Sequence, residues 1–249
     1  MHDDPPIPRT QEAAMYVIVQ AVSRGYRWYQ QGEVPASKAL RLAAKFEEKF
    51  DWTADRVRRQ FLKRKGLAST RLVMYPGPQR ETVLWWLLAT DGEVEERAQF
   101  QDTWSHRESL TWDARYRLEH LQRPSREGGG RRWTWQVCPQ RLAEMTAYID
   151  ALCAVDGDRH GDLRKYLEML ARMPGFHGIR RQVLGLLRGA EGTWTRHRRG
   201  PWPFAKPDMP YVSATVEAYD RVPVRLSHIA RLAAVAESMS TATRPGGSA

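Results

Sequence analysis

No stretch of this chain is apolar over the roughly 18 to 20 residues that a membrane helix needs. The longest apolar run, 83–89 (VLWWLLA), is far shorter. The opening MHDDPPIPRT is acidic and proline-rich and lacks a basic start followed by an apolar core, so no secretory signal is expected. Cysteine is nearly absent. Cys138 and Cys153 alone cannot enclose a zinc ion, and their spacing fits no metal pattern, so reduced thiols in or near a core are expected. These absences point to the cytoplasm or nucleoid and exclude a membrane partner.

Patterned histidine is lacking as well. His2, His106, His120, His177, His197 and His228 form no HxH or HExxH motif. Ser105-His106 and Ser227-His228 are sequence neighbours, which does not build a triad. Tyr166, Tyr211 or Tyr219 as a strand-transferring nucleophile lacks the usual histidine cluster. No catalytic residue is nominated, no cofactor is implied, and the reading leans away from an enzyme.

The next scarcity is local: acidic residues are missing from two segments. Segment 52–71 holds Arg56, Arg58, Arg59, Lys63, Arg64, Lys65 and Arg71 against Asp55 alone. Segment 176–206 holds Arg180, Arg181, Arg188, Arg196, Arg198, Arg199 and Lys206 against Glu191 alone. The formal net charge is +10, so these two segments exceed it and the remainder is slightly acidic. A near-neutral body with two cationic segments suits a polyanion, because phosphate neutralisation and counterion release supply most nucleic-acid affinity. The chain is also arginine-rich. A GC-rich genome accounts for arginine over lysine in general but not for the clustering. Guanidinium additionally grips phosphate bidentately and stacks on bases.

The hydrophobic share of 42%, with ten Trp, nine Tyr and six Phe, is enough for a packed core. Residues 1–9 read as a disordered lead. Thr10 is a cap candidate for a first helix with Met15, Ile18, Val19, Val22 and Tyr26 inward. Gly32 and Pro35 mark a break. Ser37 starts a second helix with Leu40, Ala43, Ala44 and Glu47 or Phe46 inward. Thr53 starts a third, about 53–65, which is expected to bury Val57 and Phe61 and leave its cations outside.

The period then changes. Residues 70–75 and 82–90 read as strands around a Pro/Gly turn, the second apolar on both faces and therefore central. A polar helix is expected over 93–108. Strands follow at 114–122 and 131–138, with Trp133 and Trp135 sharing an inward face. From Pro139 the pattern is helical, near 139–154, 161–172, 177–190, 212–220 and 225–238. The four prolines of 200–210 exclude regular structure there. Residues 240–249 read as a disordered tail. The class is α+β: a helical N-terminal region, a central antiparallel sheet of two hairpins with about four strands, and a helical C-terminal half. The expected regions are 10–138 and 139–239, which either split near 139–156 or pack as one domain.

The function expected from this pattern is nucleic-acid binding, to DNA or RNA, mainly through backbone and stacking contacts. The candidate residues are Arg56, Arg58, Arg59, Lys63, Arg64, Lys65, Arg180, Arg181, Arg196, Arg198, Arg199, Trp202 and Lys206. In the second segment aromatics alternate with cations, a composition suited to unpaired bases. The alternative for Trp202 and Phe204 is a loop folded back on the core. An accessory factor of a mobile element, of replication or of transfer fits this reading, as does a subunit held with other proteins in a nucleoprotein complex.

Two other classes remain open. Asp156, Asp158, His160 and Asp162 resemble the start of a calcium loop, but Leu167 stands where a bidentate carboxylate is needed. The same residues would serve a metal-dependent nuclease, against the ordinary reading of a turn before a helix. A structural subunit docking an acidic protein is the third class.

Overall fold

The computed structural model describes residues 6–77, 81–105, 109–123, 125, 128–154, 160–198, 201–205, 208–212 and 224–231, the side chains of His160, Arg198 and Val224 excepted. The expected lead (in part), the tail, all but the first residue of the helix at 212–220 and the second half of that at 225–238 lie outside the described residues. The chain is α+β, and it groups into two compact units, Met1–Glu108 with Ala218–Ala249, and Ser109–Glu217. Among the described residues no helix is long and apolar enough to cross a membrane.

The first unit runs β1 (Pro6–Ile7), α1 (Gln11–Ser23), β2 (Trp28–Pro35), α2 (Ala39–Phe50), α3 (Arg56–Arg64), β3 (Thr70–Pro76), β4 (Thr82–Ala89) and β5 (Gln101–Asp102). Thr10 caps α1 as expected, its hydroxyl accepting from Ala13 N–H at 3.1 Å. Met15, Ile18 and Val22 are buried below it. The sheet is antiparallel with order β3-β4-β2-β5. β4 is central, as its continuous apolar run implies. Val83, Trp85, Leu87 and Ala89 pack on α2 through Ala39, Ala43, Phe46 and Phe50, while Leu84, Trp86 and Leu88 are buried on the opposite face.

Two sequence expectations are corrected here. Gly32 and Pro35 are not a break but part of β2, which pairs with β4 along its whole length. Gly32 stands opposite Trp85, and a Cβ on it would come within 2.7 Å of the indole ring. The glycine makes room for the tryptophan. Gly32→Ala is therefore expected to cost about 1–3 kcal/mol in urea denaturation, as overpacking does; an unchanged midpoint would show that the indole yields freely. The described residues of 93–108 also do not form the expected polar helix. Glu93 instead exchanges backbone hydrogen bonds with Gly66 and Ala68, both at 2.8 Å. Asp102, in β5, accepts two hydrogen bonds from Arg27, at 2.9 and 2.6 Å. Only a single 3-10 turn, Arg97–Gln99, remains helical among the described residues there.

The second unit runs β6 (Thr111–Trp112), β7 (Tyr116–Gln122), β8 (Arg131–Val137), α4 (Pro139–Ala154), α5 (His160–Ala171) and α6 (His177–Arg198). Its sheet has order β6-β7-β8, so the two expected hairpins sit in separate sheets. Trp133 and Trp135 are buried, as their alternation predicts. Trp135 meets Trp112 edge-on, and His120 stacks on Trp133 at 4.8 Å. α6 covers the other face of β8. Gly178 N–H donates to the Thr134 hydroxyl at 3.0 Å, and the Gln182 side chain bonds both Val137 N–H and Val137 C=O. The first unit is completed by β9 (Val224–Arg225), which pairs antiparallel with β1.

Candidate nucleic-acid interface

α3 presents the first cationic segment. Its cap is Asp55, whose carboxylate accepts from Arg58 N–H at 2.7 Å. Thr53, the expected cap, is held instead by Glu47, through its backbone N–H at 3.0 Å and its hydroxyl. This shift in the starting residue accompanies a different inward face. Leu62 is the buried residue of α3, whereas Val57 is 73% and Phe61 45% exposed. The expectation that Val57 and Phe61 form the buried seam is thus overturned.

The exposed face is therefore mixed. Phe61 stands between two cations, with Arg58 5.5 Å and Lys65 5.9 Å from its ring centroid. Of the carboxylates nearest in sequence, Asp55 serves the cap and Asp51 pairs with Arg58 at 2.8 Å. Among the described residues no carboxylate pairs with Arg56, Arg59, Lys63, Arg64 or Lys65. The positive field on this helix is not neutralised internally. Its C-terminal placement of Lys63 and Arg64 also complements the helix dipole.

Arg71 continues the cationic surface onto β3. It is half-buried, and burial pushes its guanidinium below its ordinary proton affinity. Tyr26 opposes that shift, while Arg59 and Arg24 act in the same direction as burial. Arg24, the C-cap of α1, was not singled out from the sequence. The signal available was the cation at position 71 within a strand that alternates with Leu72 and Met74, whose inward packing places Arg71 on the face toward α1.

The second cationic segment lies in the second unit and is less open. Arg180 is half-buried, 4.1 Å from the Tyr211 ring centroid, with Nη1 buried and without a hydrogen-bond partner. Arg181 is exposed on α6. Arg196 is exposed and donates to the Thr193 hydroxyl at 3.0 Å, which in turn donates to Asp150 at 2.8 Å. Trp202 and Phe204 pack edge-on against Trp194 and each other, with centroids 5.0–5.9 Å apart. Trp202 is half-buried in this cluster. Arg199, Lys206 and the Arg198 side chain lie outside the described residues.

Of the metal candidates, Asp156, Asp158 and the His160 side chain lie outside the described residues. Asp162 is exposed in the first turn of α5. Among the described residues no three His, Cys, Asp or Glu side chains converge on a common point. Comparison with known proteins brings no relative to this geometry: no protein-family model matches the chain, and neither a curated protein nor a solved structure matches it.

Proposed function

We propose that the protein binds nucleic acid through α3 and the Lys65-Gly66 exit that follows it. One observation carries this reading. Arg56, Lys63, Arg64 and Lys65 are exposed within ten residues, and among the described residues none has a carboxylate partner. Uncompensated cations at that density hold a counterion atmosphere that a phosphate backbone displaces favourably. The exposed Val57 and Phe61 give the same face apolar contact area, which suits sugars and base faces. Two apolar side chains on a nine-residue helix bury too little to anchor it on a lipid surface. In this role the protein is an accessory factor or a subunit of a nucleoprotein complex, of the kind that mobile-element, replication or transfer processes employ.

The test is a fluorescence-anisotropy titration with single-stranded DNA, duplex DNA and single-stranded RNA of equal length, each at two salt concentrations without metal. Binding that weakens steeply with salt is expected, and the ranking of the three ligands identifies the preferred form. No binding to any of them at low salt overturns the proposal and makes α3 a docking face for an acidic protein.

A further inference from the structure

Singly exposed apolar side chains are ordinary on a protein surface, but a run of them is not. Among the described residues seven large apolar side chains are exposed, and three of these, Val57, Phe61 and Leu67, fall on α3 and its exit. No other described stretch of that length holds two. Val57 and Phe61 stand one turn apart on the same side of α3, so they form a ridge. The cations are arranged about this ridge. Arg58 lies 5.5 Å and Lys65 5.9 Å from the Phe61 ring centroid. Where this chain seats a guanidinium directly on a ring the distance is shorter, 3.7 Å for Arg97 on Trp28 and 4.1 Å for Arg180 on Tyr211. Neither Arg58 nor Lys65 covers Phe61 in that way, and the residue stays 45% exposed. Arg58 is held at its station by Asp51 at 2.8 Å. Lys65 follows the last turn of α3 and has no carboxylate partner among the described residues. The result is an open aromatic surface with positive charge one turn before it and one turn after it.

We infer that Phe61 is a stacking platform for an unpaired base, so that the ligand class of α3 is single-stranded nucleic acid. This rests on the nucleic-acid reading of α3 and narrows it. In a duplex the base faces are stacked on one another, and only base edges line the grooves. Against such a backbone the cations alone suffice, and the apolar ridge has nothing to match. A single strand splays its bases, and every base has a π-face. With a base on Phe61, the phosphates on either side of that nucleotide run toward the two ends of the platform, where Arg58 and Lys65 stand. Val57, one turn away, gives apolar contact to the neighbouring sugar or base. DNA and RNA share this chemistry, because stacking is tolerant of base and of sugar.

The full chain is titrated with four probes of equal length: single-stranded DNA, single-stranded RNA, duplex DNA, and an abasic single strand that keeps the phosphates and lacks the bases. The proteins are wild type, Phe61→Leu, Phe61→Trp and the control Met169→Ala, an exposed apolar residue of α5. Wild type is expected to bind the single strands more tightly than the duplex or the abasic strand. Phe61→Leu keeps apolar bulk and loses the aromatic face. It is expected to lose about tenfold on the single strands while its affinity for the abasic strand and the duplex stays that of wild type. Phe61→Trp enlarges the face and is expected to hold or raise single-strand affinity, and Met169→Ala is expected to change nothing. A loss in Phe61→Leu confined to DNA or to RNA supports the platform and names the strand. Wild type that binds the abasic strand as tightly as the base-bearing ones overturns the platform and leaves the α3 reading standing. So does Phe61→Leu that binds the single strands as wild type does. Wild type that binds none of the four probes overturns the α3 reading itself, and the platform with it.

Discussion

Gly178→Ala is expected to destabilise the second unit by about 3 kcal/mol, the upper range for overpacking in a close-packed site. Gly178 lies in the first turn of α6, where that helix meets β8. A Cβ there would press into the Trp135 carbonyl oxygen and approach Gln136 Cγ to 2.8 Å and Thr134 Cγ2 to 3.0 Å. The first of these is backbone of β8 and cannot turn aside as a side-chain end can. Retreat of α6 would also lengthen the Gly178 N–H to Thr134 hydroxyl bond and the paired Gln182 bonds to Val137. Both Gly178 and Thr134 are buried, so those polar groups would be stranded away from water.

The control is on the same helix. A Cβ at Gly185 meets no atom within 4 Å. Alanine there is expected to stabilise by about 0.5–1 kcal/mol, the ordinary helix advantage over glycine. Urea unfolding followed by tryptophan fluorescence reads both, since Trp112, Trp133 and Trp135 report on the same core. Equal effects of the two substitutions would refute the close approach of α6 to β8.

The same packing shows what the sequence conceals. β4 is legible because its covering on both faces demands a continuous apolar run, VLWWLLA. β2 is not. Gln31, Glu33 and Pro35 are exposed on it, and β5 pairs only with Trp28 and Tyr29, so most of β2 behaves as an edge strand that tolerates polar residues and a terminal proline. Its glycine is explained by Trp85, which lies more than fifty residues away in sequence. The missing helix over 93–108 has a similar cause. The partners that hold it extended, Gly66, Ala68 and Arg27, all come from earlier parts of the chain.

The candidate site divides in the same way. The density of cations in 52–71 is a local property and needs no structure to be seen. Which side of α3 faces outward does need it. Val57 and Phe61 lie four residues apart and form an acceptable inward seam on their own. The tertiary contact falls on Leu62 instead, one position and about 100° further round the helix. For the second cationic segment the alternation of aromatics with arginine is equally real, but Trp194 draws Trp202 and Phe204 into an edge-on cluster, and Tyr211 draws Arg180 inward.

Those differences decide where neutralisation should have its largest effect. The triple variant Arg56→Gln, Lys63→Gln, Arg64→Gln is expected to lose about a hundredfold in nucleic-acid affinity at low salt, near 1 kcal/mol for each phosphate contact removed. The three side chains are exposed and have no described partners, so stability should stay within about 0.5 kcal/mol of wild type. The salt dependence gives an independent count. If all three contact phosphate, the slope of log K against log salt becomes shallower by roughly 2.7 on a duplex and about 2 on a single strand. Phe61→Ala then separates the modes: stacking loses about 1–3 kcal/mol on a single strand, whereas a duplex bound through its backbone is barely affected. Full affinity in the triple variant, in a protein that does bind, would move the interface away from α3. The exposed cations Arg181 and Arg196 of α6 would be the next to test, because they keep the solvent access that Arg180 has given up to Tyr211.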